Sequence, residues 1–149
     1  APGVVKTGDV AAAVGTPAEL KAALQFARGI YFPDRIKATA GIHFMSVPKQ
    51  LDLDAELASR PHPSLNGASA INAMAKAKEE GSLGCTQVTD ILYTDGVELV
   101  ALLPTEFELA TVCRAATCTQ AVGLKAENRL INLLVSPDAA AVRTACGFE

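Results

Sequence analysis

The chain has few of the residues and patterns that mark common enzymes and common partners. It holds only 2 histidines, and none of its 4 cysteines stands in a C-x-x-C pair. No G-x-S-x-G turn is present. Without the cysteine pair a zinc site is not expected, and without the turn there is no serine-hydrolase signature. There is no basic block, and the formal net charge is −3, which argues against nucleic acid as a partner. No apolar run approaches the ~20 residues needed to cross a bilayer, so no membrane insertion is expected. No repeat, low-complexity tract, cofactor motif or metal-ligand cluster stands out.

What is present is an ordinary globular composition. The 149 residues, 50% of them apolar, suffice for one domain with a real core and are too hydrophobic for disorder. The even cysteine count (Cys85, Cys113, Cys118, Cys146) is compatible with disulfides in an oxidising compartment and equally with free thiols.

Local signals divide the chain into alternating elements. Thr16-Pro17-Ala18-Glu19 reads as a capping box with proline at the first helical position, and Leu20, Ala23, Leu24 and Ala27 line one face of the helix that follows, which ends near Gly29. "GIYFP" reads as a short strand. The loop 34–41 leads into a helix around "AGIHFMSV", which Pro48 interrupts or restarts. "ELASRPHPSLNG" reads as an irregular proline-rich connector. Asn66 caps a third helix with Ile71, Met74 and Ala75 inward and Lys76, Lys78, Glu79 and Glu80 outward, stopped by Gly81. "SLGCTQ" is a strand, "VTDILYTDG" a short helix and turn, "VELVALLP" a strand and "FELATVCRAATC" a longer one. Two helices, Lys125–Val135 and Pro137–Cys146, close the chain. The alternation predicts an α/β class with a mixed, mostly parallel sheet flanked by helices. On one long strand Cys113 and Cys118 would face opposite sides and lie too far apart to bond, so no disulfide is expected between them, while Cys85 could meet either.

The candidate chemistry is sparse. His43 in an apolar helix reads as structural, and His62 between two prolines as a surface residue. Asp52, Asp54 and Glu56, and the Glu79-Glu80 pair, read as solvated or dipole-facing acids. Three helix starts say more: Thr39-Ala40-Gly41, Asn66-Gly67-Ala68-Ser69 and Thr86-Gln87-Val88. Helix N-termini beyond strand ends present unpaired N–H groups and a positive dipole end, and small residues let an anion approach the backbone. No lysine or arginine is obviously aimed at these starts, with Lys37 and Arg114 as the candidate cations. These starts point to a dehydrated anion held mainly by neutral donors.

The stretches "IYFPDRIKATAGIHF", "LGCTQVTDILYTDGVELVALLPTEFELATV" and "SPDAAAVRTACGFE" resemble, in order, the later part of periplasmic molybdate-binding proteins, which are solute-binding components of ATP-driven importers with the type II periplasmic binding fold. The resemblance implies one lobe of that fold over residues 1–122 and, over 123–149, a C-terminal helical pair that in the family packs on the first lobe. No first lobe is recognisable, so the binding unit reads as incomplete. The resemblance implies a small anion as ligand, an oxyanion such as molybdate or an organic carboxylate. It implies an ABC permease as partner, no cofactor, and a periplasmic or secreted location after removal of a leader before Ala1. It places the ligand contacts at Thr39, Ala40, Gly41, Thr86 and Gln87. It also implies a tyrosine hydroxyl on the later long strand, where this chain has Val112 and Cys113. Some relatives with a similar "CTQ" turn handle carboxylic acids, so an aconitate-isomerase-like enzyme with His43 as base is one alternative, and a ligand-free interaction protein another. With the first lobe missing, Leu130, Ile131, Leu133, Leu134, Ala141, Val142 and Ala145 would be bare, and a homo-oligomer through residues 125–146, most simply a dimer, is expected.

Overall fold

The computed structural model describes residues 2–148, so Ala1, where a leader would be cleaved, lies outside the described residues. The chain divides into two compact units, Ala1–Leu109 and Ala110–Glu149.

The first unit is a five-stranded sheet in the order β3-β2-β4-β1-β5. Its strands are β1 (Pro2–Lys6), β2 (Ile30–Pro33), β3 (Pro61–Ser64), β4 (Leu83–Cys85) and β5 (Val97–Leu102). β2 pairs parallel with β3 and β4, whereas β1 runs antiparallel to both β4 and β5. The sheet is therefore mixed, with a single strand reversed, as the element pattern predicts. Four helices join these strands: α1 (Pro17–Phe26), α2 (Thr39–Gln50), α3 (Gly67–Lys76) and α4 (Val88–Leu92).

Alternation along the strands sorts the core into two layers. Val5, Ile30, Phe32, Leu83 and Cys85 face one side, where they meet Leu20 and Leu24 of α1 and Phe44 and Val47 of α2. Val4 and Tyr31 face the other, against Ile71 and Met74 of α3 and Ile91 of α4. Gly84 makes that second layer possible, because a β-carbon there would stand 2.6 Å from Val4 Cγ1 and 2.8 Å from Ile71 Cδ1.

The local signals hold where they rest on short-range chemistry. Thr16 accepts from the Glu19 N–H, and the Glu19 carboxylate accepts from the Thr16 N–H, which completes the capping box. Asn66 accepts from the Ser69 N–H at 2.8 Å. Elsewhere the structure corrects the reading. Pro48 does not break α2. It sits in the last turn, two residues before the helix ends at Gln50. The third helix stops at Lys76, so Lys78, Glu79 and Glu80 lie in the loop before Gly81, which takes φ +72°.

The proline-rich connector contains a strand that the sequence did not reveal. Ile30 N–H donates to the Arg60 carbonyl, so alternate residues of β3 face β2, and Pro61 and Pro63 fall on the open edge, where a missing N–H costs nothing. His62 is exposed, as expected, but not idle: its ring stacks on Tyr31 at 4.7 Å and 15° and shields that buried side chain. β1 also escaped notice, since an isolated apolar stretch at the chain start carries no flanking turn signal.

The long strand expected over "FELATVCRAATC" does not form. A single 3-10 turn, Thr105–Phe107, seats Phe107 in the core, and residues 108–118 have no ladder. Alternating apolarity without a partner strand is not enough to make a sheet. With no strand there, Cys113 and Cys118 are not set on opposite faces of a sheet, and all four cysteines are free thiols.

The second unit carries α5 (Leu124–Val135), a 3-10 turn (Pro137–Ala139) and α6 (Ala140–Ala145). Ser136 caps the turn by accepting from the Ala139 N–H. Arg143 folds α6 back by donating to the carbonyls of Leu134 and Ser136, at 2.7 and 2.9 Å. Gly147, at φ +84°, lets Phe148 N–H reach the Arg143 carbonyl and Gly147 N–H reach that of Thr144, a Schellman stop. None of the described residues of this unit is buried.

Candidate functional site

β2 and β4 lie side by side and run parallel, yet the chain leaves them in opposite directions. From β2 it passes to α2, whose Phe44 and Val47 pack on one face of the sheet. From β4 it passes to α4, whose Ile91 packs on the other. Adjacent strands whose carboxyl ends diverge in this way leave a crevice between the departing loops, the usual place for a ligand in an open α/β sheet. β3, the other neighbour of β2, feeds α3 at the same edge. Three helix N-termini thus gather at the carboxyl ends of three adjacent parallel strands.

The start of α2 is the most open of them. Its N-cap residue, Ala38, is extended (φ −101°, ψ 124°) and offers no side-chain cap. Ala38 N–H donates to the Asp34 carbonyl and Ile42 N–H to the Ala38 carbonyl, while the N–H groups of Thr39, Ala40 and Gly41 have no acceptor among the described residues. The loop before them is held by Asp34, whose carboxylate accepts from the N–H groups of Ile36 and Lys37 at 2.7 and 2.8 Å. Those backbone bonds, above all, pull the Asp34 carboxyl below its ordinary pKa. Thr39 is exposed and Ala40 buried.

Gly41 has a different role from the one its smallness suggested. A β-carbon there would collide with the carbonyl oxygens of Pro33 and Asp34. The glycine lets α2 close onto the end of β2, and its open side is turned to the protein's own backbone rather than to a ligand.

At β4 the structure divides the Thr-Gln pair. Thr86 is buried, 1% exposed, and its hydroxyl donates to Asp90 Oδ2 at 2.8 Å. Its side chain is committed to the protein and does not face the crevice. Gln87 is exposed and serves as N-cap residue of α4 without a side-chain cap bond. Asp90 did not stand out in the sequence, yet it reaches the start of α3: a β-carbon on Gly67 would overlap both Asp90 Oδ2 and Thr86 Oγ1. The four-residue spacing from Thr86 to Asp90, next to the flagged Asn66-Gly67 start, was the available signal.

The remaining candidates lie apart from this cluster or are changed by it. Val112 and Cys113 belong to irregular chain in the second unit, so no strand offers a substitute for the family's tyrosine there. Arg114 is in the same unit, beside Leu130 and Ile131. His43, one turn into α2, is half-buried; its Nδ1 has no hydrogen-bond partner, and burial lowers its pKa. Among the described residues no group of three metal-ligating side chains occurs, and no helix is long and apolar enough to cross a membrane.

Two solved structures share this architecture, a mixed sheet covered on both faces with diverging loops at one edge. The Azotobacter vinelandii periplasmic molybdate-binding protein matches with a TM-score of 0.72 and 16% identity, over 99% of this chain and 64% of that one. The substrate binding domain described as that of a molybdenum ABC transporter from Clostridium difficile matches with a TM-score of 0.65 and 11% identity, over 98% of this chain and 61% of that one. The chain therefore spans less than two thirds of the length of either, and at these identities the likeness shows the fold. No protein-family profile and no curated protein sequence matches the chain.

Proposed function

We propose that the protein binds a small anion at the crevice between β2 and β4, outside the cytoplasm, as part of the solute-binding component of an ABC importer. The divergence of the chain from two adjacent parallel strands carries the reading, because it exposes the uncapped α2 start at the edge where such sheets take ligands. In this reading the backbone N–H groups of Thr39, Ala40 and Gly41 cradle one side of the anion. The Thr86-Gln87 turn supplies the other, by its backbone and the Gln87 amide. The ligand is an oxyanion such as molybdate or an organic carboxylate, and the names of the two solved neighbours favour the former.

Titration calorimetry with molybdate, sulfate and citrate tests it. Thr39→Asp places a carboxylate at an exposed helix start, which suits the helix dipole but opposes an incoming anion. Binding should be lost with the melting temperature maintained; binding that survives this change would remove the α2 start from the site.

One observation supports an isomerase acting on an unsaturated polycarboxylate as a second reading. The half-buried His43 imidazole is held toward its neutral form, the form a general base requires. Deuterium uptake into aconitate in the presence of the protein, lost in His43→Gln, is the expected result for that activity; no exchange would dismiss it.

The second unit's exposed leucines support self-association. Leu130, Leu133 and Leu134 are 56%, 58% and 49% exposed, and burying each is worth roughly 1.5–3 kcal/mol. Sedimentation should reveal a dimer that Leu133→Lys dissociates; a monomer at high micromolar concentration would refute it.

A further inference from the structure

We infer that the Asn66-Gly67 peptide is a site of spontaneous covalent change, cyclisation to a succinimide followed by hydrolysis to aspartate or isoaspartate, which the folded start of α3 holds in check. The inference is independent of the anion-binding reading.

The reaction joins the Gly67 backbone nitrogen, once deprotonated, to Cγ of Asn66. The Cγ–Nδ2 bond breaks and ammonia leaves. Water then opens the ring at either carbonyl, so that an amide and water become an acid and ammonia without oxidant or cofactor. Opening at one carbonyl gives aspartate in an ordinary chain. Opening at the other gives isoaspartate, whose main chain runs through the former side chain and is a carbon longer. Asparagine is among the thermolabile residues, and a following glycine leaves the attacking nitrogen unshielded because it has no β-carbon. Asn66 is the only asparagine in the chain that precedes glycine; Asn72, Asn128 and Asn132 precede Ala73, Arg129 and Leu133.

The fold restrains each reacting part. Asn66 is exposed, but its Oδ1 accepts from the Ser69 N–H at 2.8 Å, which commits the carboxamide to capping α3. The residue is extended, at φ −150° and ψ 176°, and closing the ring has to rotate it out of that conformation. Gly67 is buried, and the space beside its α-carbon is filled by Thr86 Oγ1 and Asp90 Oδ2. The Thr86 hydroxyl donates to Asp90 Oδ2 at 2.8 Å and fixes that wall. The positive end of the helix dipole eases loss of the Gly67 proton; the Asp90 carboxylate beside it opposes that loss. Further along α3, Ala70, Ile71 and Met74 are fully buried, the last two against Val4 and Tyr31. Reaction therefore requires the first turn of α3 to open, and its native rate follows the population of that open state.

The products are unequal. Aspartate at residue 66 still offers an oxygen to the Ser69 N–H. Isoaspartate inserts a backbone carbon directly before a glycine that has no room to shift, so it unseats the cap and the glycine together.

The test incubates the whole chain in mildly alkaline buffer, native and in guanidinium chloride, and follows each asparagine by peptide mapping for the amide-to-acid mass change. In guanidinium, residue 66 should convert at least about tenfold faster than Asn72. In native buffer its conversion should be slowed about tenfold or more. Conversion in guanidinium no faster than that of Asn72 would overturn the site. Equal rates in the native and unfolded protein would overturn the restraint by the fold. The isoaspartyl form, separated from aged protein and refolded, should melt several degrees below the unmodified chain; equal melting would overturn the part given to the packing around Gly67.

Discussion

Residues 1–109 and 110–149 are built from similarly apolar sequence, yet only the first stretch buries it. In the first unit Leu20, Leu24, Val47, Ile71 and Met74 are fully withdrawn from solvent. In the second, Leu124, Leu130, Leu133, Val135 and Val142 are each about half exposed or more. The difference is topological. A sheet covered on both faces offers every helix a surface to pack on, whereas two short helices joined by a tight turn offer each other little. Periodicity shows that a helix has an apolar face. It does not say whether the same chain covers that face.

The largest contrast should appear in thiol chemistry. Cys85 is buried in β4, and burial pushes its thiol up to about 12, far from the reactive thiolate. Cys113 and Cys118 are exposed. Iodoacetamide followed by peptide mapping should modify these two within minutes and Cys85 only on unfolding, a rate difference of several orders of magnitude. Equal labelling of Cys85 in native buffer would mean the first unit is not the closed body described.

Matched substitutions sharpen the same contrast. Leu24→Ala should cost about 2–5 kcal/mol in chemical denaturation, the range for a fully buried leucine. Leu133→Ala, at 58% exposure, should cost under about 0.5 kcal/mol in the monomer. A large loss at Leu133 at low protein concentration would show that its face is covered within the chain. Gly41→Ala should destabilise the first unit by about 1–3 kcal/mol, as overpacking does, since the new methyl meets the backbone oxygens of Pro33 and Asp34. An unchanged melting temperature would mean that the α2 start can shift. Thr16→Ala should lose about 1 kcal/mol with the capping box, and no loss would mark the start of α1 as held by packing alone.

What could be read from the sequence followed the range of the interaction. Capping at Thr16 and Asn66, the strand at "IYFP" and the α/β alternation depend on neighbours a few residues away, and all are present. β3 was hidden because prolines at alternate positions are tolerated only on an edge, and edge position is a property of the whole sheet. The strand expected after Phe107 failed for the converse reason: its alternation is genuine, but pairing needs a partner that no local pattern specifies. The helix starts at Thr39 and Thr86 were legible as starts. Their chemistry was not, because the task of Gly41 depends on where β2 ends, and that of Thr86 on a carboxylate whose target belongs to another helix.

The reversed strand β1 has a consequence for how the first unit forms. Its residues pair with Gly84 and Cys85 on one side and with Val97 to Leu102 on the other. The two ladders of β1 therefore join the beginning of the unit's sequence to its last strands. Loop closure over such separations raises contact order and slows folding. During synthesis β2 and β3 can pair early, while β1 waits unpaired until some eighty further residues have emerged. Val4 and Val5 are the side chains left uncovered in that interval, which makes the nascent chain, more than the finished protein, the form most exposed to aggregation.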